Sequence, residues 1–114
     1  MSIAYLNGEY LPLAEARISP LDRGFLFGDG IYEVIPYYNG KSVGLMPHII
    51  RMINGLAAIE INCKLSAEEW KTLLDDLIAR NSEMGENLGV YVHVSRGADV
   101  KRLHAYPENV EPTI

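Results

Sequence analysis

The run Ile31-Tyr32-Glu33-Val34-Ile35-Pro36-Tyr37-Tyr38-Asn39-Gly40 decides how the rest of the chain is read. Its first eight residues are mostly β-branched or aromatic, types that suit a pleated, half-buried surface. Asn39-Gly40 then accepts the positive φ angles that a two-residue hairpin turn demands. A strand from Ile31 to Tyr38 is therefore predicted, turning into a partner over Ser42 to Leu45. Working outward, Asn7-Gly8 repeats the signal between Ile3 to Leu6 and Glu9 to Leu11, so the chain opens on another hairpin. Further on, Leu88, Val90, Val92 and Val94 alternate with Tyr91, His93 and Ser95, the pattern of a strand with one buried face.

Two helices are predicted between these strands. Pro47 suits a first helical turn, and Ile49, Ile50, Ile53, Leu56 and Ala57 follow helical spacing, placing one helix over about Pro47 to Glu60. Ser66 with Glu69 three residues later forms a capping box, after which Trp70, Leu73, Leu74, Leu77 and Ile78 make one apolar face. The segment Gly24 to Gly30 holds three glycines and reads as a bend or a close backbone approach. The stretch from Arg96 onward reads as loop, and Pro107 to Ile114 as an approach to a further strand or domain. Hairpin-paired strands, two helices and a returning strand describe an α+β fold with a largely antiparallel sheet, one domain over residues 1–114.

Composition narrows the function classes. With hydrophobic residues at 48% and charged residues at 22%, the chain is neither disordered nor fibrous. A net charge of -5 argues against general nucleic-acid binding, which needs clustered Lys and Arg. Cys63 is the only cysteine, so no intrachain disulfide can form, and its apolar neighbours suggest a small buried residue. There is no apolar run of membrane-spanning length, and Met1 to Tyr5 lacks the basic start of a secretion signal. A cytoplasmic protein without membrane or nucleic-acid partners is expected.

Motifs with self-contained chemistry are missing: the sequence has no nucleophile elbow, no P-loop, no dinucleotide fingerprint and no metal-type His/Cys spacing. His48 and Arg51, three residues apart, share a face near the start of a predicted helix, where an anion is favoured. Two readings stand: a phosphate site, or a solvated arginine beside a capping histidine, the latter favoured by spacing alone.

The stretch Asp22-Arg23-Gly24-Phe25-Leu26-Phe27-Gly28-Asp29-Gly30-Ile31-Tyr32-Glu33-Val34, followed by Tyr38-Asn39-Gly40 and His48-Ile49-Ile50-Arg51, resembles the start of the class IV, or fold-type IV, aminotransferases. Ser95-Arg96-Gly97 and Arg102-Leu103-His104-Ala105-Tyr106-Pro107-Glu108 extend the resemblance over nearly the whole chain. It implies the small N-terminal domain of a homodimeric enzyme that uses pyridoxal 5'-phosphate (PLP). By this resemblance Arg51 grips the PLP phosphate, a task suited to a planar, permanently charged guanidinium. Tyr32 is implied at the substrate and cofactor pocket, against the alternative of a strand tyrosine with a wet hydroxyl. Glu33 is expected on the opposite face of the strand and outside the site.

Arg102-Leu103-His104 resembles the Arg-x-His pair with which D-amino acid aminotransferases hold the substrate carboxylate from the neighbouring subunit. The loop from Arg96 to Arg102 is slightly longer than in that pattern. His93 is read as a surface or sheet-packing residue. The family's cofactor lysine lies in a C-terminal domain, and Lys41, Lys64, Lys71 and Lys101 do not match its motif, so no catalytic residue is assigned within residues 1–114. The implied activity is amino transfer between a D-amino acid such as D-alanine and a 2-oxo acid, both small molecules. A branched-chain aminotransferase, an aminodeoxychorismate lyase, and a non-catalytic dimerisation or anion-binding module are the alternatives.

Overall fold

The protein is described by a computed structural model covering residues 2–114. Strands β1 (Ile3–Leu6) and β2 (Glu9–Pro12) form an antiparallel hairpin, with Asn7 at φ 49° and Gly8 at φ 98° as the turn requires. Helix α1 (Arg23–Phe27) follows, then β3 (Gly30–Tyr38), β4 (Lys41–Ser42), α2 (Leu45–Ala58), α3 (Ala67–Arg80) and β5 (Asn87–Ser95). β3 is the centre of a second antiparallel sheet in the order β4-β3-β5, its register running from Gly30↔Ser95 to Tyr38↔Asn87. This is the predicted α+β, largely antiparallel architecture, with three helices in place of two.

The third helix is α1, which the glycine-rich segment had suggested as a bend. Asp22 caps it by accepting from the Gly24 amide at 2.8 Å, and Gly28 ends it at φ 65°. The partner of β3 is shorter than expected: β4 stops at Ser42, Gly44 turns left-handed, and Leu45 already opens α2. Pro47 is still tolerated, because the first four amides of a helix lack an intrahelical acceptor. α2 ends at Ala58, and Glu60 at φ 58° lets the Ile61 amide reach back to the Leu56 carbonyl at 2.9 Å. The capping box at Ser66 and Glu69 is formed in both directions.

The core lies on the sheet face covered by α2 and α3. Ile35 and Tyr37 of β3, Val90, Val92 and Val94 of β5, Leu45, Ile49, Met52 and Leu56 of α2, and Trp70, Leu74 and Ile78 of α3 are all buried. On α2 the buried stripe runs through Leu45 and Met52; Ile50 and Ala57, both expected inside, are exposed. Cys63 is half-buried, packed at the margin of the core. Tyr37 donates its hydroxyl to Asp75 at 2.9 Å, tying the sheet to α3.

One part of the C-terminal stretch departs from the loop reading, and another fits the expected approach to a further strand. Arg96 and Gly97 are buried, and Thr113 pairs with Ser95 through two backbone hydrogen bonds of 3.0 and 3.2 Å. Ser95, expected on the open face with Tyr91 and His93, is buried because its hydroxyl donates to Asp22 at 2.7 Å. Thr113 donates to the other Asp22 oxygen at 2.6 Å. Gly97, at φ 105°, passes so close to the Glu111 carbonyl that a Cβ there would collide with it.

Candidate functional site

Successive strand residues point to opposite faces, so β3 serves two different environments. Ile31, Glu33, Ile35 and Tyr37 face α2 and α3; Tyr32, Val34 and Tyr38 face outward and are exposed. Glu33 is thus the one carboxylate that this strand sends under α2, where it needs a cationic partner to remain charged. It has two. Arg51 donates through Nε to Oε2 at 2.8 Å and through Nη2 to Oε1 at 2.6 Å, and His48 Nδ1 lies 2.6 Å from Oε1. The Arg51 hydrogen bonds hold the Glu33 carboxyl below the ordinary carboxylate range, outweighing its burial, with His48 contributing in the same direction.

Arg51 itself is open, its side chain 72% exposed. Of the five guanidinium N–H groups, two serve Glu33, leaving both on Nη1 and one on Nη2 for another acceptor. Glu33 therefore fixes the fork without saturating it. Because α2 begins at Leu45, Arg51 stands in the second helical turn, where the helix dipole has largely faded, and His48 in the first. Anion binding at this point rests on the guanidinium, more than on the helix end. The residues fit a phosphate contact: a pre-aimed, exposed, permanently charged fork with unused donors.

Tyr32 sits on the opposite, outward face. Its ring stacks on Tyr91 with centroids 5.8 Å apart, and Tyr91 Oη lies 3.0 Å from His93 Nδ1. His93 is the cross-strand partner of Tyr32 and is exposed, as read from its place on the strand. Arg102 and His104 form another group. The His104 ring lies 5.0 Å from that of Phe27, and the Arg102 guanidinium lies 5.0 Å from the same ring, so both side chains meet on one residue of α1. Among the described residues, no hydrogen bond joins Tyr32, Arg51 and the Arg102–His104 pair to one another.

Behind that pair lies a buried ionic cluster. Asp29 accepts from Arg23 Nε at 2.8 Å and from Arg96 Nε and Nη2 at 2.8 and 3.2 Å. Burial alone would raise the Asp29 pKa, but the hydrogen bonds from Arg96 and Arg23 prevail and lower it. Arg96 also donates to the Ile59 and Glu60 carbonyls at 2.8 and 3.1 Å, capping the end of α2. The sequence had offered Asp29, Arg23 and Arg96 only as motif letters, and it had set Glu33 aside. The signal for Glu33 was its parity: a charged residue in register with Ile31, Ile35 and Tyr37 must be met by a cation on the covering helix.

All four lysines, Lys41, Lys64, Lys71 and Lys101, are exposed, and Lys71 is paired with Asp75 at 2.7 Å. An apolar cavity of about 240 Å³ between β1, α3 and β5 is lined by Leu6, Trp70, Leu74, Val92 and Thr113, among others; Tyr32, Arg51, Arg102 and His104 do not reach it. No helix among the described residues is long and apolar enough to cross a membrane.

Comparisons with known proteins converge on one family. The family model described as "Amino-transferase class IV" matches residues 30–114. The D-alanine aminotransferase of Staphylococcus haemolyticus is 35% identical over 115 aligned residues, covering all of this chain and 40% of that protein. The chain spans about 40% of the length of the curated relatives it matches. Among solved structures, the Escherichia coli branched-chain amino acid aminotransferase superposes with a TM-score of 0.87 at 16% identity, over 98% of this chain and 37% of that one. A branched-chain amino acid aminotransferase from T.th., solved with pyridoxamine 5'-phosphate, gives 0.83 at 21% identity, over 98% and 38%.

Proposed function

The chain belongs to the class IV amino-transferases, and from that premise we propose that it is the N-terminal domain of a PLP-dependent enzyme that moves an amino group between a D-amino acid and a 2-oxo acid. The observation that carries the substrate reading is the Arg102-Leu103-His104 triplet, together with a full-length match of this chain to a protein named D-alanine aminotransferase. The parent enzyme is a cytoplasmic homodimer, with the cofactor lysine supplied by a C-terminal domain outside residues 1–114.

Within that enzyme Arg51 holds the PLP phosphate with the donors that Glu33 leaves free. Glu33 and His48 orient that fork. Bound PLP supplies an electron sink that makes the substrate Cα–H acidic. Tyr32 presents its phenol, stacked on Tyr91, to a substrate group. Arg102 and His104, seated on Phe27, project from the opposite subunit and hold the α-carboxylate, which turns the Cα hydrogen toward one face of the cofactor.

The test is substrate preference of the whole enzyme. Initial rates with D-alanine and a 2-oxo acid should exceed those with L-leucine by at least about tenfold in kcat/KM. A preference for L-leucine would assign the chain to a branched-chain enzyme instead.

A further inference from the structure

Arg23 is 3% exposed, and its guanidinium reaches in two directions at once. Through Nε it pairs with Asp29; through Nη1 and Nη2 it donates to the backbone carbonyls of Leu103 and His104, at 2.5 and 3.2 Å. The second pair of bonds links residues 80 and 81 positions apart in sequence and ends on the triplet Arg102-Leu103-His104 itself. Arg23, Phe27, Asp29, Ile59, His104 and Tyr106 line a cleft of about 440 Å³. Tyr106 packs its ring under both guanidinium groups, 5.8 Å from that of Arg23 and 4.2 Å from that of Arg96. Arg102, Leu103 and His104 are otherwise exposed. Their aim is therefore set by these backbone contacts and by the seat on Phe27, and not by burial of their own side chains.

We infer that Arg23, anchored by Asp29, is a positioning residue that fixes the backbone at Leu103 and His104 and so aims Arg102 and His104 at the substrate carboxylate. The inference rests on the reading that Arg102 and His104 bind that carboxylate. It explains why a slightly longer loop after Arg96 can still deliver the pair: the loop is pinned at its far end, past the extra length. An arginine is needed because only a planar fork can serve one carboxylate and two carbonyls together; a lysine keeps the ion pair and loses the span.

The test combines Arg23→Lys, Arg102→Met and their double variant. Hydrogen exchange of the whole enzyme at the Leu103 amide, which is bonded to the Lys101 carbonyl, should quicken by about tenfold in Arg23→Lys while the β5 amides stay protected. In the whole enzyme, Arg23→Lys should raise KM for D-alanine at least about threefold with PLP affinity unchanged, and Arg102→Met about tenfold. The double variant should be no worse than Arg102→Met alone, since both act on one contact. A rise in KM for Arg102→Met without one for Arg23→Lys overturns the positioning role and leaves the carboxylate reading standing. Parental KM in Arg102→Met overturns the carboxylate reading, and the substrate role of Arg23 with it, however the loop exchanges. Should Arg23→Lys fail to fold, Arg23→Gln, whose shorter amide cannot span Asp29 and the Leu103 and His104 carbonyls together, must show the same loosening and the same KM shift.

Discussion

Two carboxylates in this domain each gather two basic side chains, and the settings differ. Asp29 sits between Arg23 and Arg96 with side chains 9%, 3% and 8% exposed; Glu33 sits between His48 and Arg51 at 6%, 26% and 72%. In the first cluster every charge is dry and the spare donors go to backbone carbonyls at Ile59, Glu60, Leu103 and His104. In the second the carboxylate is dry but one partner faces solvent with donors unspent. The difference separates a clamp from a binding group. A buried charge with every guanidinium nitrogen engaged inside the domain holds segments together, whereas an exposed fork fixed from below is free to take a ligand.

The largest expected effect breaks the clamp. Asp29→Ala strands two buried guanidinium groups and should cost about 3 to 5 kcal/mol of stability in urea unfolding of the chain. Glu33→Ala should cost about 1 to 2 kcal/mol, because Arg51 can turn into water and only His48 is left beside the gap. Equal losses would erase the contrast between the two clusters. Acid should sharpen it. Both carboxyls are held below their ordinary values of 3.8 and 4.5, so the stability they contribute is complete above those values and is lost as pH falls through the lower folded ones. Each such group steepens the acid limb of the stability profile by up to about 1.4 kcal/mol per pH unit. Asp29→Asn and Glu33→Gln together should leave a flatter profile below pH 4.5.

The sequence disclosed what depends on local periodicity and turn chemistry. Both Asn-Gly turns, the capping box at Ser66 and Glu69, and the alternation from Leu88 to Val94 each follow from neighbours within a few residues. The α1 turn was hidden because its five residues carry no helical period and two of its signals, Asp22 and Gly28, serve equally in a loop. Ile50 was expected inside, yet the buried stripe of α2 runs through Leu45, Ile49, Met52 and Leu56, because helical spacing fits two neighbouring stripes and only the packing of α2 on the sheet decides between them. The clamp was illegible for another reason: Asp29 meets Arg96 across 67 residues, and spacing says nothing about contacts of that range. Arg51 was found through resemblance. Its partner Glu33 was passed over because strand parity placed it correctly on the far face, and what covers that face is a question parity alone does not answer.

The pairing of Glu33 with Arg51 admits the most direct measurement. Arg51→Ala, compared with the parent in the whole enzyme by PLP titration, should weaken cofactor binding by about 1.5 to 3 kcal/mol, roughly tenfold to a hundredfold or more in Kd, with the fold retained. Equal dissociation constants for parent and variant would contradict the phosphate role and return Arg51 to a solvated helix arginine held by Glu33.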